Sequence, residues 1–261
     1  MSRSLIISSA WIGVVLVALF LRMHDLGERP IHADEATGAR LLSTRLEGKA
    51  VQFNPKHFHG PLLSLTSAPI ARLCGETHWA DLSKTTLRLG PVIAGVLLVF
   101  TPLLWIRWLG GTGALSAAAL LATSPLLVYY NRMYIHESLL ALLAMLGCVT
   151  VLRLVEKPRL LTGAVAGVCC GLMFATKETL LITLISWIVA VCIYSINGQS
   201  AGDRQVEVPQ VRDYFRPIGL FVFSAALTAG VFYSDGFTSL QGVVDSVRTY
   251  FVYETTAGHE K

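Results

Sequence analysis

Residues 4–21 read SLIISSAWIGVVLVALFL, and residues 29–40 read RPIHADEATGAR. The first stretch is an apolar run about as long as a helix needs to cross a bilayer, which is about 20 residues. The second places His32, Asp34 and Glu35 just beyond the point where the chain leaves the hydrocarbon. No small-residue cleavage site follows the run, and further apolar runs lie downstream, so it reads as a retained first span rather than a removed leader.

Of 261 residues, 53% are hydrophobic and 15% charged, too apolar a balance for a solvated globular surface. The fold class this implies is all-α: a polytopic bundle of about seven membrane helices, at roughly 5–22, 87–108, 114–130, 138–155, 159–176, 179–197 and 216–233. The apolar piece at 60–75 is too short to cross and reads as a juxtamembrane helix in the first loop. The net charge of +4 is spread along the chain and points to no nucleic acid. Cys74, Cys148, Cys169, Cys170 and Cys192 lie in apolar surroundings without metal-site or disulfide spacing.

Short-loop basic residues set the orientation. An inward N-terminus gives the inner side Arg3, Arg107, Arg153, Lys157, Arg159, Arg204, Arg212 and Arg216, and leaves the outer short loops only Arg132 and Lys177. The chain is therefore expected to be a multi-pass protein of the cell membrane with a cytoplasmic N-terminus. The long loop at about 23–86 then lies outside, and all seven histidines fall on that face together with Asp34, Glu35, Glu137, Lys177 and Glu178.

Four outer motifs carry the candidate chemistry. The acidic pair Asp34–Glu35, with His32 before it, either supplies a base or is a solvated helix end. In NRMYIHESLL, residues 131–140, Arg132, His136 and Glu137 sit close to hydrocarbon; Arg132 and Glu137 are either site residues or partners across a tight turn. In FNPKHFHGPLL, residues 53–63, Lys56, His57 and His59 meet phosphate headgroups or snorkel to anionic lipid, and Pro61 suits the first turn of a helix. FATKETLL, residues 174–181, places Lys177 and Glu178 in a short outer turn, as a cation aimed into a cavity or as a neutralising pair.

In order and spacing these blocks, with LRLGPVIAG at 87–95 and SPLLVYYNRMYIHE at 124–137, resemble the GT-C superfamily of polytopic glycosyltransferases. That superfamily includes protein O-mannosyltransferases, the aminoarabinose transferase of lipid A and oligosaccharyltransferase catalytic subunits. Within it the chain is similar to a prokaryotic branch linked to the handling of lipid-linked sugars. The resemblance implies inverting transfer of a sugar from a polyprenyl-phosphate donor on the exoplasmic face. It assigns Asp34 as base with Glu35 beside it and Glu137 as second acid, while Arg132, Lys56 or Lys177 neutralise the departing phosphate. His32, His57, His59, His136 and Glu178 complete the expected substrate-binding set. Membrane lipids and the lipid-linked sugar are the expected partners; the acceptor is not legible.

Residues 1–233 are expected to form the transmembrane module and 234–261 an outer segment, cut short, because related proteins continue into further spans. No cofactor is fixed by the sequence. A divalent cation held by His32, Asp34, His57 and His59 is one option, although their spacing defines no ligand set. Two other functions stay open at this point: a non-catalytic protein that presents or flips lipid-linked sugars, and a subunit that needs a partner to complete its fold.

Overall fold

The computed structural model describes residues 3–49, 51, 53–54, 59–200 and 210–256, with the backbone alone for 3–6, 194–200 and 252–256. Among the described residues the chain is helical without a strand. By length and composition three helices suit a membrane crossing, at Lys84–Thr123, Glu137–Glu156 and Val211–Tyr233, and shorter apolar helices run at Ile7–Met23, Leu62–Leu73, Leu160–Phe174 and Leu180–Ile193. The described chain divides into two compact units. One holds residues up to 52 with 61–142, and the other holds 53–60 with the residues from 143 onward.

The first unit opens with α1, Arg3–Met23. Helix α2, Ala33–Leu46, begins at the acidic pair, and α3, Leu62–Leu73, follows Pro61. Two helices therefore occupy the first loop, in keeping with a juxtamembrane element there. Leu42 and Leu46 of α2 and Leu63, Ala68 and Ala71 of α3 bury against each other with Leu87 and Tyr134. Helix α4, Lys84–Phe100, starts where the Ser83 hydroxyl accepts the Thr86 amide proton, an ordinary N-cap.

The second and third apolar runs are not the uninterrupted helices that hydropathy suggests. After α4 the backbone tightens into a 3-10 turn, Thr101–Trp105, because Pro102 has no N–H to continue the α-helical ladder. The Thr101 hydroxyl satisfies the Leu98 carbonyl at 2.7 Å. Helix α5, Ile106–Thr123, is itself broken at Gly110, whose φ of 68° only glycine adopts without strain. Ser124 and Pro125 then end α5 and start the short α6, Pro125–Asn131. Alanines 18, 118 and 122 bury with Val99 at the crossing of α1, α4 and α5, where small side chains let backbones approach.

Helix α7, Glu137–Glu156, links the units in sequence. The second unit contains α8, Leu160–Phe174; α9, Leu180–Ser200; α10, Val211–Tyr233; and α11, Gln241–Thr256. Its tightest crossing is α8 on α10. Gly163, Gly167 and Gly171 lie on one face of α8, and a Cβ on any of them would collide with the backbone oxygen of Pro217, Phe221 or Ala225 respectively. Residue Gly60 seats the 59–60 backbone in the same way against the carbonyl of Ala175.

Candidate active site

In the first unit the polar chemistry gathers at the head of α2. His32 is its N-cap: its Nδ1 accepts the Asp34 amide proton at 3.3 Å, and its own N–H donates to Glu35 Oε2 at 3.0 Å. Glu35 is thus the third helical residue of a capping box, with His32 in the place usually taken by serine or threonine. Oδ2 of Asp34 lies 3.4 Å from the same His32 nitrogen. The two His32 contacts exclude each other, since Nδ1 accepts the amide proton only when bare and donates to the carboxylate only when protonated. The Asp34 side chain is 75% exposed.

Its neighbour Glu35 is the opposite case, with no solvent exposure at all. Oε1 accepts from Arg88 Nε at 2.8 Å and from the Tyr134 backbone N–H at 2.9 Å, while Oε2 accepts from Arg88 Nη2 at 2.9 Å and from His32. Arg88, equally buried, spends its remaining donors on the carbonyls of Leu26, Arg29 and Pro30, at 2.7, 3.2 and 3.1 Å. Five guanidinium donors and four carboxylate acceptor positions are therefore all used, which is the condition for a buried ion pair to hold. Burial pushes the Glu35 carboxyl up, but the Arg88 hydrogen bonds, the two backbone donors and the Arg88 charge outweigh it and hold it below the ordinary carboxyl range. Glu35, expected beside the base at Asp34, has every acceptor position occupied within the protein.

The 131–138 segment is clamped at both ends. Tyr134 is tied to Glu35, and Asn131 Oδ1 accepts from Arg22 Nε at 2.9 Å while its Nδ2 donates to Ser138 Oγ at 2.8 Å. The fully buried Arg22 also donates to the Leu121 and Ala122 carbonyls, at 3.0 and 2.9 Å, so its charge sits on the negative end of α5. Of the two readings of Arg132, a partner of Glu137 or a site residue, the structure does not form the pairing. Arg132 donates to the carbonyls of Leu21, His24 and Asp25 at 3.0, 2.6 and 3.2 Å, capping the end of α1 while keeping its net positive charge. His136 and Glu137 are half-buried where α7 begins, each engaged in interactions of its own. Arg29 stacks on Tyr129, 4.2 Å from the ring centre, and bonds its hydroxyl.

The second unit brings together His59 and Glu178, 119 positions apart in sequence. His59 Nδ1 is 3.0 and 3.1 Å from the two Glu178 oxygens, and Glu178 is the more buried partner. Lys177, half-buried beside it, is also engaged. Glu178, which the sequence offered as the counter-charge of Lys177, has a histidine from the first loop as a partner. Lys56 and His57 lie outside the described residues. Of the four ligands considered for a cation, His32 and Asp34 are adjacent and His59 takes Glu178 as its partner. Among the described residues no three His, Cys, Asp or Glu side chains gather as metal ligands.

Sequence reasoning gave no role to Arg88, Arg22, Asn131 or Tyr134. A usable signal did exist for the arginines: each sits at the edge of an apolar run, where a charged residue is retained only if it faces a partner inside the bundle.

The all-helical membrane fold, taken with the family match, places the chain in the GT-C superfamily. The chain belongs to the dolichyl-phosphate-mannose-protein mannosyltransferase family, whose model matches residues 59–202, more than half of its length. A solved structure with the same fold is the S. cerevisiae protein O-mannosyltransferase Pmt1-Pmt2 complex bound to the sugar donor. The likeness has a TM-score of 0.69 at 16% identity and covers 92% of this chain and 35% of that one, so this chain spans about a third of that relative's length. No curated protein matches the chain. The family match begins after the head of α2 and does not include Asp34 or Glu35.

Proposed function

We propose that the protein is a membrane mannosyltransferase that draws its sugar from a polyprenyl-phosphate donor on the exoplasmic face, with inversion, and that Asp34 is the base. The observation that carries this reading is the asymmetry of the acidic pair. One carboxylate is buried and saturated, while the next residue along presents an open carboxylate at the helix head, fixed in direction by its neighbour. A base must combine a defined position with a free lone pair, and of the pair only Asp34 has both. A departing phosphate needs a cation at the same depth, and Arg132, anchored by three backbone carbonyls with its charge uncancelled, is suited to that part. Glu137 and His136 keep their expected places as second acid and substrate contact. In the second unit His59, Lys177 and Glu178 keep the substrate-contact roles expected of them. The cell membrane with an inward N-terminus is the location that the loop charges support.

The test is a transfer assay in proteoliposomes offering radiolabelled polyprenyl-phosphate mannose or a nucleotide-activated mannose. Turnover of the lipid-linked sugar alone, with the opposite anomeric configuration in the product, is the expected result. Use of the nucleotide sugar would overturn the donor assignment. Binding and transbilayer movement of the lipid-linked sugar without transfer would favour the presenting or flipping role instead.

A further inference from the structure

Helix α11 is amphipathic in the reverse sense for a helix packed on a protein. The face it turns inward is small and polar: Gly242, Ser246 and Thr249 are buried, the latter two at 3% and 4% exposure. Their hydroxyls are satisfied within the helix, Ser246 on the Val243 carbonyl at 2.7 Å and Thr249 on the Asp245 carbonyl at 3.2 Å. The face it turns outward is a stripe of large apolar side chains. Phe237, Leu240, Val244, Val247 and Phe251 recur at steps of three and four and are 60%, 71%, 48%, 55% and 67% exposed. Phe237 heads the stripe from the turn before α11 in the left-handed region, φ 67°, an uncommon conformation for an aromatic residue. The Ser234 hydroxyl holds it there by accepting its amide proton at 2.8 Å.

The position of the helix limits what can cover that stripe. Gly242 lies against the Tyr233 carbonyl at the end of α10, too close for a Cβ, and the Tyr250 hydroxyl donates to the Glu178 carbonyl in the α8–α9 turn at 3.3 Å. The Tyr250 ring stacks on Phe174 at the end of α8. Helix α11 therefore runs from the end of one apolar helix to the turn joining two others, which is the level of the lipid headgroups. Large apolar side chains are exposed on the neighbouring helices as well: Ile182, Ile185 and Val189 of α9 and Val222, Phe223 and Leu227 of α10. Polar side chains border the stripe, with Arg248 exposed and paired to Asp245 at 3.2 Å. A helix with an apolar stripe, a charged border and a place at the ends of membrane helices has the make-up of one that lies in the interface.

We infer that α11 is a bilayer-engaging helix whose Phe237–Phe251 stripe enters the boundary between headgroups and acyl chains, and that this engagement braces the α8–α9 turn carrying Lys177 and Glu178. The inference is independent of the catalytic reading, since it concerns what the helix touches and not what the enzyme transfers.

Proteoliposomes of the whole chain provide the test, with an environment-sensitive fluorescent amino acid placed singly at positions 244, 247, 251 and, as control, 248. Bromine carried near the top of the lipid acyl chains should quench the three stripe probes about twofold or more beyond the control, and aqueous iodide should show the reverse order. Stripe probes quenched by iodide would overturn the inference. Probes shielded from both quenchers would also overturn it, in favour of a second copy or a further protein segment as the covering partner. In a second arm, Val247→Ser with Phe251→Ser should speed amide hydrogen exchange at 175–180 several-fold in liposomes, because the brace is loosened. Unchanged exchange there would refute the bracing.

Discussion

Glu35 and Arg88 stand 53 positions apart and meet through two hydrogen bonds of 2.8 and 2.9 Å, with neither side chain exposed to solvent. The pair joins the head of α2 to the first turns of α4, and through Tyr134 it also fixes the segment leading to α7. Asp34, one residue away, inherits its position from this lock.

Removing one member of the pair strands the other. Glu35→Ala should lower the stability of the folded protein by about 3–5 kcal/mol, as the Arg88 guanidinium is left buried without a counter-charge. The double variant with Arg88→Met should recover part of the loss, because no isolated charge is then buried. Thermal unfolding in detergent, read as a double-mutant cycle, measures the coupling.

The same pair makes stability depend on pH. The Glu35 carboxyl is held below its ordinary range by Arg88 and two backbone N–H groups despite its burial. Its contribution is therefore fully present above the ordinary carboxyl range and is lost as pH falls through the depressed folded value. Unfolding temperature should drop on acidification in the wild type, and this part of the drop should be missing in Glu35→Gln, which carries no ionisable group at that position.

Asn131 completes the shell of Arg22. Asn131→Leu leaves the Arg22 Nε–H and the Ser138 hydroxyl without their side-chain partner inside the bundle, at a cost of about 1–3 kcal/mol. Gly95→Ala should act through the same contact, since a Cβ there runs into the Asn131 side chain. Equal shifts in unfolding for the single and double variants would show that both act on one interaction.

The α8–α10 crossing depends on the absence of side chains. Gly167→Leu forces α8 away from the Phe221 carbonyl and Ser224 and should destabilise the second unit by about 1–3 kcal/mol or more, because the crossing partner is backbone and cannot turn aside. Hydrogen exchange along 211–233 should rise in this variant and stay unchanged along 84–100.

Hydropathy made the helical bundle legible, since runs of about 20 apolar residues have few alternatives to a membrane helix. It did not reveal the 3-10 turn after Phe100, which depends on a single proline inside a run that remains apolar throughout, whereas the break at Gly110 falls in the gap between the second and third runs. At the head of α2 the sequence singled out Asp34 and Glu35 as a pair, but did not show that one would be buried and the other exposed. That difference arises from Arg88, which arrives from a distant helix, and from the Tyr134 amide, which no side-chain pattern records. Arg132 was legible as a cation near the membrane, yet its carbonyl partners on α1 belong to tertiary structure. The reverse amphipathicity of α11 was readable in principle, since Phe237, Leu240, Val244, Val247 and Phe251 keep helical spacing, but only the packing tells which face turns outward.

The most direct test of the account is sugar transfer by Asp34→Asn beside the wild type, with unfolding temperature and donor-lipid binding measured on the same preparations. Because the Asp34 side chain is mostly exposed and supports no packing, the folded protein and its hold on the donor should be nearly unchanged while transfer falls by about a hundredfold or more, the scale of losing a general base. Transfer that continues at the wild-type rate in a folded Asp34→Asn protein would contradict the account.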